Sequence, residues 1–112
     1  MYGYDTFHDE VMLELIDNVH DGLSNQAYIF EGPEGLNILC SAKLFAAALT
    51  CLNKKTAPCG ECRVCRLSYA DSNPDIIYIN TADEKSIGVE KIREVSKDVY
   101  IKPFEADYKV YI

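Results

Sequence analysis

Residues 27–65 read AYIFEGPEGLNILCSAKLFAAALTCLNKKTAPCGECRVC, and this stretch decides the fold. It begins with the apolar run Tyr28-Ile29-Phe30, which predicts a buried strand. Gly32-Pro33-Glu34-Gly35 then predicts a sharp turn, and the residues from Ile38 to Leu49 predict a helix. A strand, a glycine-containing turn and a helix in this order are typical of the loop that cradles phosphate groups in nucleotide-binding proteins.

The loop lacks the side chains that bind phosphate and magnesium. A working phosphate loop has the pattern G-x-x-x-x-G-K-[ST], in which the lysine contacts the β- and γ-phosphates and the hydroxyl binds magnesium. Aligned on Gly32, the last three positions of this pattern are Asn37, Ile38 and Leu39. We therefore expect no tight nucleotide binding and no hydrolysis. A strand-turn-helix unrelated to nucleotides is the alternative interpretation of the glycines alone.

Four of the five cysteines form the most specific chemical signal in the chain. Their spacing is C-x7-C-x2-C-x2-C, and the four are Cys51, Cys59, Cys62 and Cys65. Four thiolates suit a tetrahedral zinc site of the closed, structural kind. An iron-sulfur cluster and a redox-active C-x-x-C pair are the alternatives, since both use the same residue type.

Composition predicts one modest globular domain. The chain has 112 residues, of which 48% are hydrophobic and 26% charged, as is ordinary for a domain with its own core. The formal net charge of −7 opposes direct binding to nucleic acid, which requires clustered Lys and Arg side chains. The apolar runs are too short to span a bilayer, and the first residues lack a basic and then apolar signal region. We therefore expect a soluble, cytoplasmic protein.

The remaining segments predict an α/β order of elements. Apolar positions up to His20 predict a first helix, and Ile76-Ile77-Tyr78-Ile79 predicts a strand buried on both faces. A helix is predicted from Val89 to Tyr100, with an apolar face, and Tyr108 to Ile112 predicts a last strand. The fold class that follows is α/β, with a parallel sheet of about three strands and the cysteine cluster inserted between its elements. An apolar strand at the terminus leads us to expect that the sequence is a fragment.

These motifs together resemble the delta-prime and gamma/tau subunits of the bacterial DNA polymerase III clamp loader, which have an AAA+ ATPase fold. The resemblance covers nearly the whole chain, and its strength lies in the order and spacing of its pieces. The pieces are Gln26 to Gly35, the helix that ends at Cys51, Pro58-Cys59-Gly60-Glu61-Cys62 with Cys65, Asn73-Pro74-Asp75, Ile87-Gly88-Val89 with Ile92-Arg93, and Tyr108 to Ile112.

The resemblance implies that residues 1–112 are the N-terminal part of an AAA+ domain, with a zinc-binding insertion at about residues 51–66. Gamma/tau-like subunits hydrolyse ATP to load the sliding clamp, whereas delta-prime-like subunits commonly have degenerate loops and act as a rigid partner. The residues at positions 37–39 favour the delta-prime-like interpretation. It implies structural Zn²⁺, no nucleotide, other clamp-loader subunits (gamma/tau and delta) as partners, only indirect contact with DNA and the sliding clamp, and no membrane.

Two other functions stay open from the sequence. A gamma/tau-like ATPase would bind nucleotide despite its altered loop. A free-standing zinc-binding adaptor, unrelated to replication, would be favoured if the parent gene ended near Ile112. In the family, an acidic metal-binding motif, the sensor residues, the arginine finger and the oligomerising collar would all follow this position.

Overall fold

The computed structural model describes residues 10–31, 38–79, 88–104, 106 and 108–112. Within them, the α-helices are α1 (Glu10–His20), α2 (Ile38–Thr50), α3 (Arg63–Tyr69) and α4 (Val89–Asp98), and a 3-10 turn covers Lys54–Thr56. The strands β1 (Ile76–Ile77) and β2 (Val110–Tyr111) pair in parallel, with Ile76 opposite Val110. Parallel strands separated in sequence by a helix confirm the α/β class, with two strands in the described sheet rather than about three.

Helix α2 lies at the centre of the hydrophobic core. Its consecutive small residues 46–48 are buried and let neighbouring elements approach the helix closely, while Leu44 and Phe45 fill the space beside them. Helix α1 packs against α2 with Met12, Ile16 and Val19, which are four and three positions apart and therefore share one helical face. The same core continues into the residues that carry the cysteine cluster.

The prediction of a strand at Tyr28-Ile29-Phe30 is wrong, since these residues belong to neither of the described strands. Tyr28 and Phe30 instead pack on Phe45 of α2, with ring centroids 4.7 and 5.9 Å away, while Ile29 between them is 91% exposed. This alternation has the period of an extended chain. A strand also needs a neighbouring backbone to bond with, and the apolar pattern does not provide that partner.

The structure corrects two further expectations, one about the strand at residues 76–79 and one about helix α4. In the predicted strand Ile76–Ile79, only Ile76 and Ile77 are in β1, and Tyr78 is exposed, so the run is not buried on both faces. Helix α4 ends at Asp98 rather than Tyr100, and none of its residues is buried. The apolar face of α4 stays exposed because the described sheet has only two strands of two residues each and offers little surface for the helix to pack on.

Polar contacts attach α4 to β2. The Lys109 ammonium lies 2.7 Å from the Asp98 carboxylate, and the Tyr111 hydroxyl donates a hydrogen bond of 2.6 Å to the same group. These hydrogen bonds, that of Lys109 foremost, lower the pKa of Asp98, and the hydrogen bond to Asp98 raises the pKa of Lys109. The attachment is therefore strongest where both groups are charged.

A buried polar network joins α2 to α3. The side-chain amide of Asn73 donates hydrogen bonds to the hydroxyls of Thr50 (3.1 Å) and Ser68 (2.8 Å), which belong to α2 and α3 respectively. Each hydroxyl in turn donates to a backbone carbonyl of its own helix. All three side chains are buried, so each bond satisfies a group that water cannot reach.

Asp75 holds the chain that leads into β2. Its side chain is 1% exposed and accepts hydrogen bonds from the backbone N–H groups of Phe104 (2.6 Å) and Ala106 (2.9 Å). Its backbone carbonyl accepts from the N–H of Val110 (2.8 Å). One residue therefore fixes both the approach to β2 and the register of β2 against β1.

We predict that Asp75→Ala lowers the free energy of unfolding by about 3 kcal/mol, because two backbone N–H groups lose a charged acceptor. Asp75→Asn keeps one acceptor oxygen and is expected to cost less, roughly 1 kcal/mol. Urea unfolding followed by circular dichroism measures both values, with the exposed Asp21→Asn as the matched control. A loss in Asp75→Ala no larger than that of the control would contradict this role.

Candidate metal centre

The structure brings the four predicted cysteines together. Their Sγ atoms all lie within 4.8 Å of one another. The Sγ atoms of Cys51 and Cys62 are 3.9 Å apart, as are those of Cys59 and Cys65. A tetrahedral metal with bonds of about 2.3 Å to sulfur places its ligands about 3.8 Å apart. The cluster therefore has the dimensions needed to hold one metal ion.

The four cysteines come from two separate arms of the chain. Cys51 directly follows α2 and forms the first arm. The second arm carries Cys59 before a turn at Gly60, then Cys62 as the N-cap residue of α3, and Cys65 within the first turn of that helix. Gly60 has φ +74°, a left-handed conformation that glycine adopts without the steric cost of a Cβ atom. This turn brings the backbone N–H of Cys62 close to the Sγ of Cys59.

Backbone N–H groups point at the sulfur atoms. The Sγ of Cys59 accepts from the N–H groups of Cys62 (3.2 Å) and Glu61 (3.4 Å), and the Sγ of Cys62 accepts from the N–H of Cys65 (3.3 Å). The Sγ of Cys51 accepts from the N–H of Asn53 (3.3 Å). Hydrogen bonds donated to sulfur favour the thiolate, which is the form that binds metal.

The thiols differ in how readily they lose a proton. Burial acts to raise the pKa of Cys59, but the N–H groups of Cys62 and Glu61 and the side chain of Asn53 outweigh it and lower the pKa to about 6. Burial raises the pKa of Cys51 and Cys65. A cation bound between the sulfurs would offset the cost of charging these two buried groups.

Two residues outside the cysteine pattern, His20 and Lys54, hold this region against the core. His20 at the end of α1 donates from Nε2 to the carbonyl of Ala57 (2.7 Å), and Ala57 is itself buried. The Lys54 ammonium donates to the carbonyl oxygens of Cys51 (2.6 Å) and Leu49, at the C-terminal end of α2. The sequence gives no local signal for the first of these contacts, because His20 and Ala57 are 37 positions apart.

The segment that aligns with a phosphate loop is described only in part. Gly32, Pro33, Glu34, Gly35 and Asn37 lie outside the described residues. Ile38 and Leu39 are the first two residues of α2 and line an apolar cleft of about 850 Å³, together with Tyr28, Phe45 and Tyr111.

Lys109 is the charged residue among the described residues that line this cleft. Its ammonium is engaged by the Asp98 carboxylate (2.7 Å) and also donates to the carbonyl oxygens of Asp98 (2.9 Å) and Ile101 (3.3 Å). The described wall of the cleft is therefore mostly apolar, with the uncharged polar residues Ser24, Asn25 and Gln26 also in its lining, and its ammonium group is already engaged by Asp98.

In the part of the chain that the structure describes, no helix has both the length and the apolar character needed to cross a membrane.

Comparison with known proteins matches residues 7–112 to the family described as DNA polymerase III, delta subunit. The DNA polymerase III subunit tau/gamma of Haemophilus influenzae is 33% identical over 105 residues, which are 93% of this chain and 15% of that protein. Subunit tau of Bacillus subtilis is 37% identical over 89 residues, 79% of this chain and 16% of that protein.

Subunit delta' of Haemophilus influenzae is 27% identical over 86 residues, which are 77% of this chain and 26% of that protein. The chain thus spans about a sixth of the length of the two gamma/tau relatives and about a quarter of the delta' relative.

We predict that Cys62→Ala abolishes stoichiometric metal binding, because it removes both a ligand and the N-cap group of α3. Elemental analysis of the purified protein measures the metal content, and hydrogen exchange is expected to show lost amide protection over residues 51–66. The matched control is Cys40→Ala, which removes the cysteine outside the cluster and should keep its metal. Equal metal content in both variants would refute the four-cysteine site.

Proposed function

The chain belongs to the family of DNA polymerase III clamp-loader subunits that contains gamma/tau and delta-prime, and we propose that it serves there as a non-hydrolysing, delta-prime-like structural element. It would form the N-terminal part of an AAA+ domain, with residues 51–66 as a zinc-binding insertion. The observation that carries the non-hydrolysing role is the pair Ile38 and Leu39 at the beginning of α2. These residues stand where a phosphate loop requires a lysine and a hydroxyl.

Catalysis of phosphoryl transfer depends on positioned charges. The loop lysine and the magnesium ion stabilise the negative charge that develops on the phosphates. Ile38 and Leu39 provide neither a charge nor a magnesium ligand, and Leu39, which lines the cleft, is half exposed. Lys109 does not replace the missing lysine, because its ammonium is engaged by Asp98.

The choice between delta-prime-like and gamma/tau-like roles rests on this loop. Overall identity is higher to the gamma/tau relatives than to the delta' relative, and this supports a gamma/tau-like ATPase as the second candidate. The substitutions at positions 37–39 support the first candidate, since they remove the groups on which nucleotide binding depends.

The proposed partners are other clamp-loader subunits, gamma/tau and delta, in a hetero-oligomer. Contact with DNA and the sliding clamp would run through these subunits. The formal net charge of −7 supports this arrangement, because a protein that binds the phosphate backbone directly neutralises it with clustered cations.

The proposed metal is Zn²⁺ in a structural role. Zn²⁺ prefers four soft ligands in a tetrahedron, and here all four positions would be filled by cysteine, which leaves none for water or substrate. The ion would supply a cross-link between the arm that follows α2 and the arm that leads into α3. His20 and Lys54 then hold these arms against the core through backbone carbonyls.

We expect titration calorimetry with ATP and Mg²⁺ to detect no micromolar binding. The matched variant is the triple change Asn37→Gly, Ile38→Lys and Leu39→Thr, which restores the phosphate-loop side chains and should gain measurable affinity with little turnover. Micromolar binding by the unaltered chain would favour the gamma/tau-like candidate, and robust hydrolysis by the triple variant would place the catalytic groups within these 112 residues.

We expect one equivalent of zinc per chain and a colourless protein. Elemental analysis identifies the metal, and the visible spectrum distinguishes it from an iron-sulfur cluster, which absorbs there. Iron and inorganic sulfide in the purified protein would overturn the zinc assignment.

A further inference from the structure

Asn53 lies between the two arms of the cysteine cluster and contacts a sulfur atom on each. Its side-chain amide Nδ2 donates to the Sγ of Cys59 (3.5 Å), and its backbone N–H donates to the Sγ of Cys51 (3.3 Å). Cys51 belongs to the arm that follows α2, and Cys59 to the arm that leads into α3. Asn53 therefore links two ligands that are eight positions apart in the sequence.

The orientation of the Asn53 side chain is unusual for its place in the chain. Asn53 is the N-cap residue of the 3-10 turn Lys54–Thr56, and its carbonyl accepts a hydrogen bond from the N–H of Thr56 (3.2 Å). An asparagine at an N-cap commonly turns its side chain toward the free N–H groups of the turn that it begins. Here it makes no such bond and donates to the Cys59 sulfur instead.

We propose that Asn53 is a positioning residue of the metal site, whose side-chain amide orients the Cys59 thiolate toward the metal. This inference rests on the proposed zinc site. Cys51 and Cys59 both lie outside any helix, whereas Cys62 caps α3 and Cys65 lies within it, and Cys59 is the one of the first two that receives the side-chain bond of Asn53. The Asn53 side chain is outside the cysteine pattern and donates directly to a cluster sulfur.

The expected size of the effect follows from other metal sites. Groups that hydrogen-bond to a metal ligand fix its orientation, and their removal typically costs about 10- to 100-fold in metal affinity. Asn53 donates one bond of this kind from its side chain, and Cys59 keeps two backbone donors. We therefore expect an effect near the lower end, about 10-fold.

The test compares three variants of the zinc-loaded protein. Asn53→Leu keeps the size of the side chain and removes the donor, and Asn53→Asp replaces the donor with a carboxylate that repels the thiolate. Leu52→Asp is the matched control for charge, since Leu52 is an exposed neighbour without a bond to sulfur. Competition with a chromophoric chelator gives the zinc dissociation constant and the rate of zinc release for each variant.

The expected result is a zinc dissociation constant raised about 10-fold in Asn53→Leu, more in Asn53→Asp, and little in Leu52→Asp. Co²⁺ substitution provides a second readout, because a reoriented Cys59 ligand shifts the sulfur-to-cobalt absorption bands. A change that only loosened the loop would leave those bands in place. Circular dichroism confirms that each variant keeps its helices.

Wild-type affinity and an unshifted cobalt spectrum in Asn53→Leu would overturn the inference while leaving the zinc site intact. An equal loss of affinity in Leu52→Asp and Asn53→Asp, without a loss in Asn53→Leu, would assign the effect to charge and overturn it as well. Failure of the wild-type protein to hold zinc would refute the proposed zinc site itself.

Discussion

Two consecutive residues at the C-terminal end of α2 hold the cysteine region and β1 to the core. Thr50 is bonded to Asn73, which also bonds Ser68 of α3, and Cys51 is one of the four clustered sulfurs. Two contacts therefore join α3 to the end of α2. At the N-terminus of α3, the Sγ of Cys62 lies beside the Sγ of Cys51. Near the C-terminus of α3, the side-chain amide of Asn73 bonds both helices. Both connections need the end of α2 to be fixed, and Lys54 fixes it by donating to the carbonyl oxygens of Leu49 in α2 and of Cys51 directly after it.

The two contacts are expected to stabilise each other. Each one orders α3, and the conformational entropy that is lost when the first contact forms is not lost again when the second forms. Asp75 follows Asn73 by two residues, and its backbone N–H donates a hydrogen bond to the side-chain oxygen Oδ1 of Asn73 (2.9 Å). Hydrogen bonds therefore connect the cysteine region to the segment that carries β1, which in turn pairs with β2.

The sequence predicts those features that local rules determine. Metal ligands must lie close together in space, so the spacing of Cys59, Cys62 and Cys65 predicts a cluster without knowledge of the fold. The helices α1 and α2 follow from their apolar periodicity, and the parallel pairing of β1 with β2 follows from the alternation of strands and helices. The cysteine cluster and the helices follow from residues close together in the sequence, and the strand pairing follows from the order of the helices and strands.

The features that the sequence does not reveal depend on a distant partner. Tyr28 and Phe30 have the alternation of a strand but pack on the rings of α2. The contact between His20 and Ala57 joins residues with no common motif. Asn53 is ambiguous for a different reason: an asparagine before a turn predicts a cap, and only the nearby sulfur explains why its side chain points elsewhere. The apolar periodicity of a segment and the propensities of its residues do not show which of several possible partners a side chain will contact.

The physics of the two motifs explains how a phosphate loop could lose its binding side chains beside a complete set of clustered cysteines. Phosphate binding depends on individual charged groups, and Ile38 and Leu39 at those positions are still compatible with the helix that they begin. The cluster acts as a unit. With a metal bound, removal of one cysteine would leave three sulfurs without a closed site and free both arms of the chain, which would cost folding energy. Residues 37–39 could therefore change without loss of the helix that follows them, whereas each of the four clustered cysteines would be needed for the same site.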